Sequence, residues 1–122
     1  MVSHDKLGEL TVLYVEDDDI TREMAYRMLS KYFKVVHPAS DGKEGLGKYR
    51  EFRPDLIITD LSMPEMSGFE MIEKIREIDS ETPIIVTTAY RSEAESIQGV
   101  SDIVYKPVNK KLLLQAVCEL EL

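Results

Sequence analysis

Pro54-Asp55-Leu56-Ile57-Ile58-Thr59-Asp60-Leu61-Ser62-Met63-Pro64-Glu65-Met66-Ser67-Gly68 is the stretch on which the fold turns. A short apolar segment centred on Ile57 and Ile58, with turn residues on both flanks, reads as a buried strand over Leu56–Asp60. Pro64, Ser67 and Gly68 end it, so Asp60 sits at its carboxyl end. In open parallel sheets that end is where ligands bind. Asp60 is therefore the candidate reactive centre.

Upstream, Leu10–Val15 is an apolar, β-favouring run that stops at Glu16-Asp17-Asp18-Asp19. Four consecutive acids after a strand belong on a loop, and Asp18 or Asp19 can cap the helix that follows. Ile20 to Tyr32 has helical spacing, with Ile20, Met24, Met28 and Leu29 as its apolar side. Phe33–Ala39 reads as a strand that Pro38 either places at a sheet edge or frays. Ser40-Asp41-Gly42 is a turn, and Lys43–Phe52 is a helix weakened by Gly45 and Gly47. Met1 to Gly8 reads as a polar lead-in.

Downstream, Gly68–Ile78 is a helix with Phe69, Ile72, Ile75 and Ile78 on one face, and Pro83–Thr88 is a strand. Ser92–Gln98 is a short polar helix whose only bulky apolar residue is Ile97. Asp102–Tyr105 is the fifth strand, closed by Lys106-Pro107. A last helix opens at Val108 or Asn109, with Leu112, Leu113, Ala116, Val117 and Leu120 on one face. Leu114 and Cys118 fall off that stripe, placed either on an exposed partner surface or under the Ser92–Gln98 helix.

Strands alternating with helices predict an α/β fold, a doubly wound five-stranded parallel sheet with helices on both faces. Right-handed crossovers favour the flavodoxin-like order 2-1-3-4-5, which puts the Pro38 strand at an edge. The same order brings Glu16, Asp17 and Asp60 into one crevice.

At 122 residues the chain is one domain, residues 1–122 with a core over about 10–120. Fifteen basic against 23 acidic residues, a net charge of −8, argues against a nucleic-acid surface on this domain. The single cysteine, Cys118, excludes an intramolecular disulfide and fits a reducing compartment. No apolar run reaches the length of a membrane span, and none reads as a signal peptide. The expected location is the cytoplasm.

Three acids in one crevice repel, and a magnesium ion relieves this because it prefers oxygen ligands. Asp60 can then attack phosphorus and form an acyl phosphate. The transferred group needs positive charge and donors about its oxygens, and Thr88 and Lys106 stand at the ends of the fourth and fifth strands.

The acid pair after the first strand, Asp60-x-x-Met63-Pro64, Thr88-Ala89 and Lys106-Pro107, in this order at four strand ends, resemble a receiver domain of a two-component response regulator. The resemblance covers about Leu10 to Leu120. It implies that Asp60 is the phosphoacceptor and that Asp17 binds magnesium directly, with Glu16 reaching it through a water. It also implies that Ser62 offers the ion its backbone carbonyl. Thr88 becomes the switch hydroxyl and Lys106 the phosphate-pairing lysine, with Pro107 in a cis bond. The implied function is a phosphorylation-dependent signalling switch, not a conventional enzyme, though it assists its own phosphorylation and dephosphorylation. Its donor is a sensor histidine kinase or phosphotransfer protein. It reports through the face made by the Ser92–Gln98 helix, the Asp102–Tyr105 strand and the last helix. That face would meet an output partner or domain, or a second copy of the chain.

Three positions depart from the family. Ile103 stands where an aromatic switch partner is usual, while Tyr105, next to Lys106, points to the other face. The Thr88–Lys106 interval is short by about one helical turn, and Val108 replaces an aromatic after Lys-Pro. Tyr90, two beyond Thr88, is placed at the rim of the pocket. A magnesium-dependent phosphohydrolase would want an acid where Ser62 stands. A receiver-like binding module that is never phosphorylated is countered by the intact Asp17, Asp60, Thr88 and Lys106. A flavin carrier would need a phosphate loop where this chain has acids.

Overall fold

The computed structural model describes residues 3–120. Met1, Val2, Glu121 and Leu122, which belong to the expected 1–122 domain, lie outside the described residues. The elements run α1 (His4–Leu7), β1 (Thr11–Val15), α2 (Asp19–Ser30), β2 (Val35–Ala39), α3 (Gly42–Phe52) and β3 (Leu56–Asp60). They continue with α4 (Gly68–Ile78), β4 (Ile84–Thr88), α5 (Arg91–Ser96), β5 (Asp102–Tyr105) and α6 (Lys110–Cys118). The five strands pair in parallel in the order β2-β1-β3-β4-β5, the doubly wound order expected from the sequence. Pro38 lies on the edge strand opposite Tyr14.

Side chains alternate across the sheet, so each strand feeds two cores. Val12, Tyr14, Leu56, Ile58, Ile85 and Val104 join Leu7, Leu29, Leu113 and Val117 on one face, beneath α1, α2 and α6. Leu13, Val15, Ile57, Ile84 and Val86 join Leu46, Tyr49, Met71 and Ile75 on the other, beneath α3 and α4. Burial on both faces is why β3 and β4 read as continuous apolar runs.

The helix starts follow from capping. The side chains of Asp18, Asp41, Ser67 and Asn109 accept from the backbone N–H of Thr21, Glu44, Glu70 and Leu112 at α2, α3, α4 and α6. Asp55, just before β3, accepts from the Thr11 N–H at 2.8 Å and pins the amino ends of β1 and β3 together.

Four expectations need correction. The polar lead-in contains a short helix, α1, whose Leu7 is fully buried. The apolar side expected for the second helix is wrong at Ile20 and Met24, which are 73% and 67% exposed. Ala25, Met28, Leu29 and Tyr32 face the core instead. Each i+4 step drifts about 40° around a helix, so a stripe extrapolated back from Met28 leaves the core within two steps. In α6, Leu112 is 55% exposed while Leu114 is buried. Leu114 packs in the α1/α2 core and borders, with Cys118, a groove shared with Ser3, His4 and Tyr32, so neither position expected for it holds. Finally, Phe33 is not in a strand. Its N–H donates to the Leu29 carbonyl in the turn leaving α2, and β2 starts at Val35.

The two glycines of α3 differ. A Cβ on Gly45 would lie 2.7 Å from the Met71 sulfur and 3.0 Å from a Val15 methyl, whereas one on Gly47 would meet nothing within 4 Å. Gly47→Ala is therefore expected to stabilise the chain by about 0.5–1 kcal/mol in denaturant unfolding, and Gly45→Ala to destabilise it.

Asp79, following α4, ties this side together. It accepts from the Thr82 hydroxyl, from the Glu81 N–H at 2.8 Å and from the buried Tyr49 hydroxyl at 2.8 Å. These bonds, the Thr82 hydroxyl foremost, hold its carboxyl well below the usual carboxylate range. A depressed folded value means stabilisation that is complete above the unfolded value, about 4, and lost as pH falls below it. Thermal melts across that window are expected to fall less steeply for Asp79→Asn than for the parent chain.

Candidate functional site

The alternation that divides the cores also builds the site. Val12-Tyr14-Glu16, Leu56-Ile58-Asp60 and Val104-Lys106 are three even-numbered rows on one face of β1, β3 and β5. Each leaves the core at its carboxyl end with a charged residue. Glu16 is 1% exposed and Asp60 7%. Between them lies the Lys106 ammonium, 2.8 Å from Glu16 Oε1 and 2.9 Å from Asp60 Oδ2. The remaining oxygens are also occupied. Asp60 Oδ1 accepts from the Leu61 N–H at 2.7 Å, and Glu16 Oε2 from the Asp18 N–H at 3.2 Å.

Burial raises the Glu16 pKa, which the Lys106 ammonium only partly offsets. For Lys106, burial acts to lower the pKa, but its bonds to Glu16 and Asp60 outweigh that and raise it. The lysine is therefore charged throughout the physiological range. Tyr14, packed one step below on the same row, is raised by burial and stays a neutral phenol.

Asp17 is exposed, and its carboxylate completes a cluster. Glu16, Asp17 and Asp60 each offer an oxygen, all within 4.8 Å of one another. Such a group can hold a metal ion. Arg22 of α2 fastens the acidic loop, donating to the Glu16 carbonyl at 2.9 Å and to Asp19 at 2.6 Å. The sequence reading did not assign Arg22 a role.

The β3–α4 loop is set by close packing. A Cβ on Gly68 would lie 2.1 Å from the Asp60 carbonyl oxygen and 2.8 Å from Leu61 Cα, and the Gly68 N–H donates to the Leu61 carbonyl at 2.8 Å. Ser62, whose carbonyl was expected to face the ion, is exposed on this loop, and Met63 and Met66 pack on the second core. The Lys106–Pro107 bond is cis.

Thr88 stands apart from this cluster. It follows Ile84 and Val86 on the opposite face, buried, and its hydroxyl donates to Glu93 Oε1 of α5 at 2.7 Å. Glu93 Oε2 accepts from the Ser62 hydroxyl at 2.6 Å. Sequence reasoning missed Glu93. A glutamate five residues after the last strand residue was the only signal, and its direction depends on how a six-residue helix is turned.

The departures are also placed. Ile103 packs partly buried on the second core with Ile97 and Val100, and Val108 partly buried on the first. Tyr105 is exposed with the Arg91 guanidinium 5.2 Å above its ring. Helix α5 is short, as the Thr88–Lys106 interval requires, and Ile97 lies at its end while Ala94 is its buried residue. Tyr90 is exposed at the N-cap of α5.

A doubly wound sheet with clustered acids at its switch point and a lysine from the fifth strand defines a known class of signalling module. The family model for the response regulator receiver domain matches residues 12–118, and the chain belongs to that family. It is 34% identical over 110 residues to the chemotaxis protein CheY of Thermotoga maritima, covering 86% of this chain and 92% of that protein. It is 43% identical over 115 residues to hybrid signal transduction histidine kinase D of Dictyostelium discoideum, spanning 89% of this chain but only 7% of that much longer protein. Among solved structures, a chain of the CheX-CheY-BeF3-Mg2+ complex from Borrelia burgdorferi matches with a TM-score of 0.82 at 26% identity, covering 95% of this chain and 92% of that one. The protein is thus a receiver domain of the two-component type, homologous to response regulators and to hybrid-kinase receivers. Among the described residues, no helix is long and apolar enough to cross a membrane.

Gly68→Ala is expected to lower stability by about 2–4 kcal/mol in urea unfolding, because its methyl has only backbone to displace.

Proposed function

We propose that this receiver accepts a phosphoryl group on Asp60 from the phosphohistidine of a sensor kinase or phosphotransfer protein. The observation that carries this reading is the Asp60 carboxylate at the end of β3, 2.9 Å from the Lys106 ammonium and clustered with Glu16 and Asp17. An Asp60 oxygen attacks phosphorus, the nitrogen–phosphorus bond of the donor breaks, and its electron pair stays with the leaving imidazole, which takes up a proton. Lys106 exchanges its bond to Asp60 for one to a phosphoryl oxygen, and Thr88 supplies a hydroxyl donor.

A magnesium ion is the cofactor of this reading. The three carboxylates each bring an oxygen within 4.8 Å of the others, and on this reading Asp17 and Asp60 bind the ion directly. Glu16, already paired with Lys106, then acts through a water, and the Ser62 carbonyl adds a ligand from the loop. When bound, the ion neutralises charge on the acids and on the incoming phosphoryl oxygens.

On this reading the chain is a switch rather than a conventional enzyme, and it works in the cytoplasm. The added charge at Asp60 acts on the face made by α5, β5 and α6. There Tyr90, Tyr105 and Leu112 are exposed and available to a partner, an output domain or a second copy.

Acetyl phosphate labelling tests the reading. The parent chain is expected to take up about one phosphate only when magnesium is present, in a bond cleaved by hydroxylamine. Asp60→Asn is expected to take up none. Absence of label from both acetyl phosphate and a phosphorylated histidine donor would overturn it in favour of a constitutive binding module.

A further inference from the structure

We propose that Glu93 is a positioning residue that holds Thr88 away from the Asp60 pocket, and that a phosphoryl group on Asp60 displaces it and loosens α5. This inference rests on the phosphoacceptor reading above.

Its basis is the bridge made by one carboxylate. Glu93 Oε1 accepts from the Thr88 hydroxyl at 2.7 Å and Oε2 from the Ser62 hydroxyl at 2.6 Å. Thr88 ends β4, and Ser62 lies two residues beyond Asp60, so Glu93 links the two segments that flank the phosphoacceptor. Neither hydroxyl is exchangeable at no cost. Thr88 has one proton to donate, and its oxygen already accepts from the Tyr90 N–H at 3.1 Å. It can give that proton to Glu93 or to a phosphoryl oxygen, but not to both. A phosphoryl group also brings negative charge up to a carboxylate, which weakens the bridge from the other side.

Helix α5 is built to respond. It has six residues, one of them buried (Ala94), and its N-cap Tyr90 makes no side-chain cap. The Glu93 bridge is thus a principal tie between α5 and the site. Ile103, where the family usually has an aromatic switch partner, offers no hydroxyl or ring to follow Thr88. Glu93 supplies the missing coupling, in the opposite sense: it stabilises the resting state and is released on activation.

The test uses beryllium trifluoride with magnesium as the phosphoryl mimic on the parent chain, Glu93→Ala and Glu93→Gln, with hydrogen exchange of the α5 amides as the second readout. Without the mimic, Glu93→Ala is expected to exchange at Ala94–Ser96 roughly tenfold faster than the parent. Glu93→Gln keeps an acceptor for Thr88 and is expected to remain near the parent. With the mimic, α5 exchange in the parent should rise toward the Glu93→Ala level. Affinity for the mimic should tighten about three- to tenfold in Glu93→Ala, with Glu93→Gln between, because less is broken on binding. Equal affinity and equal α5 exchange in the parent and Glu93→Ala would overturn the inference while leaving the phosphoacceptor intact. A parent chain that binds no mimic would instead sink the phosphoacceptor reading and this inference with it.

Discussion

The ammonium of Lys106, held between the carboxylates of Glu16 and Asp60, is the interaction on which the site depends. It joins the carboxyl ends of β5, β1 and β3, with Lys106 lying 90 residues from Glu16 and 46 from Asp60 in the chain. Glu16 is almost wholly buried, so removing its partner would leave a charge with neither water nor counter-ion, a change that typically costs about 3–5 kcal/mol. Yet three carboxylates and one lysine leave a net negative pocket. The cluster is held in place by the lysine and remains short of positive charge, a suitable state for a group of acids that could hold a metal ion.

The scaffold makes that arrangement rigid. Even-numbered rows of β1, β3 and β5 pack against α1, α2 and α6 until the last position of each, where the charged residues emerge together. Below them Tyr14 stays neutral and buried, so it adds no charge to the pocket. At the loop side, Gly68 lies against the Asp60 carbonyl, and the Gly42 N–H donates to the Met66 carbonyl at 2.9 Å. The loop carrying Ser62 is thereby fixed at both α3 and α4. The opposite side is looser. Thr88 faces away from the lysine, and what it meets is a short helix attached through Glu93. The acids and the lysine thus stand on a fully packed face, while Thr88 meets a helix with a single buried residue.

Much of this was legible in the chain. The β3 and β5 strands and the α4 helix have the bounds expected from their apolar runs and turn residues. The sheet order followed from right-handed crossovers and the edge-seeking Pro38. Glu16, Asp17 and Asp60 meet because the ends of β1 and β3 lie side by side, a consequence of order alone, whereas Lys106 reaches them from β5 across β4. The helix faces were less legible. Ile20, Met24 and Leu112 have the composition of core residues and are exposed, while Leu7 and Leu114 are buried in the same core. Apolar periodicity shows that a helix has a buried side, but a drifting stripe does not show where contact ends.

The sequence by itself determined the class of fold, the strand order and the identity of the acids and lysine, since these depend on short-range pattern and on which strand end each residue closes. Only the tertiary structure decided the direction of each side chain at those ends. It turned Lys106 onto two carboxylates, turned Thr88 to the other face, and brought Glu93 from a six-residue helix onto both Thr88 and Ser62. Those choices are made by packing between segments far apart in the chain, and no local pattern of residues encodes them.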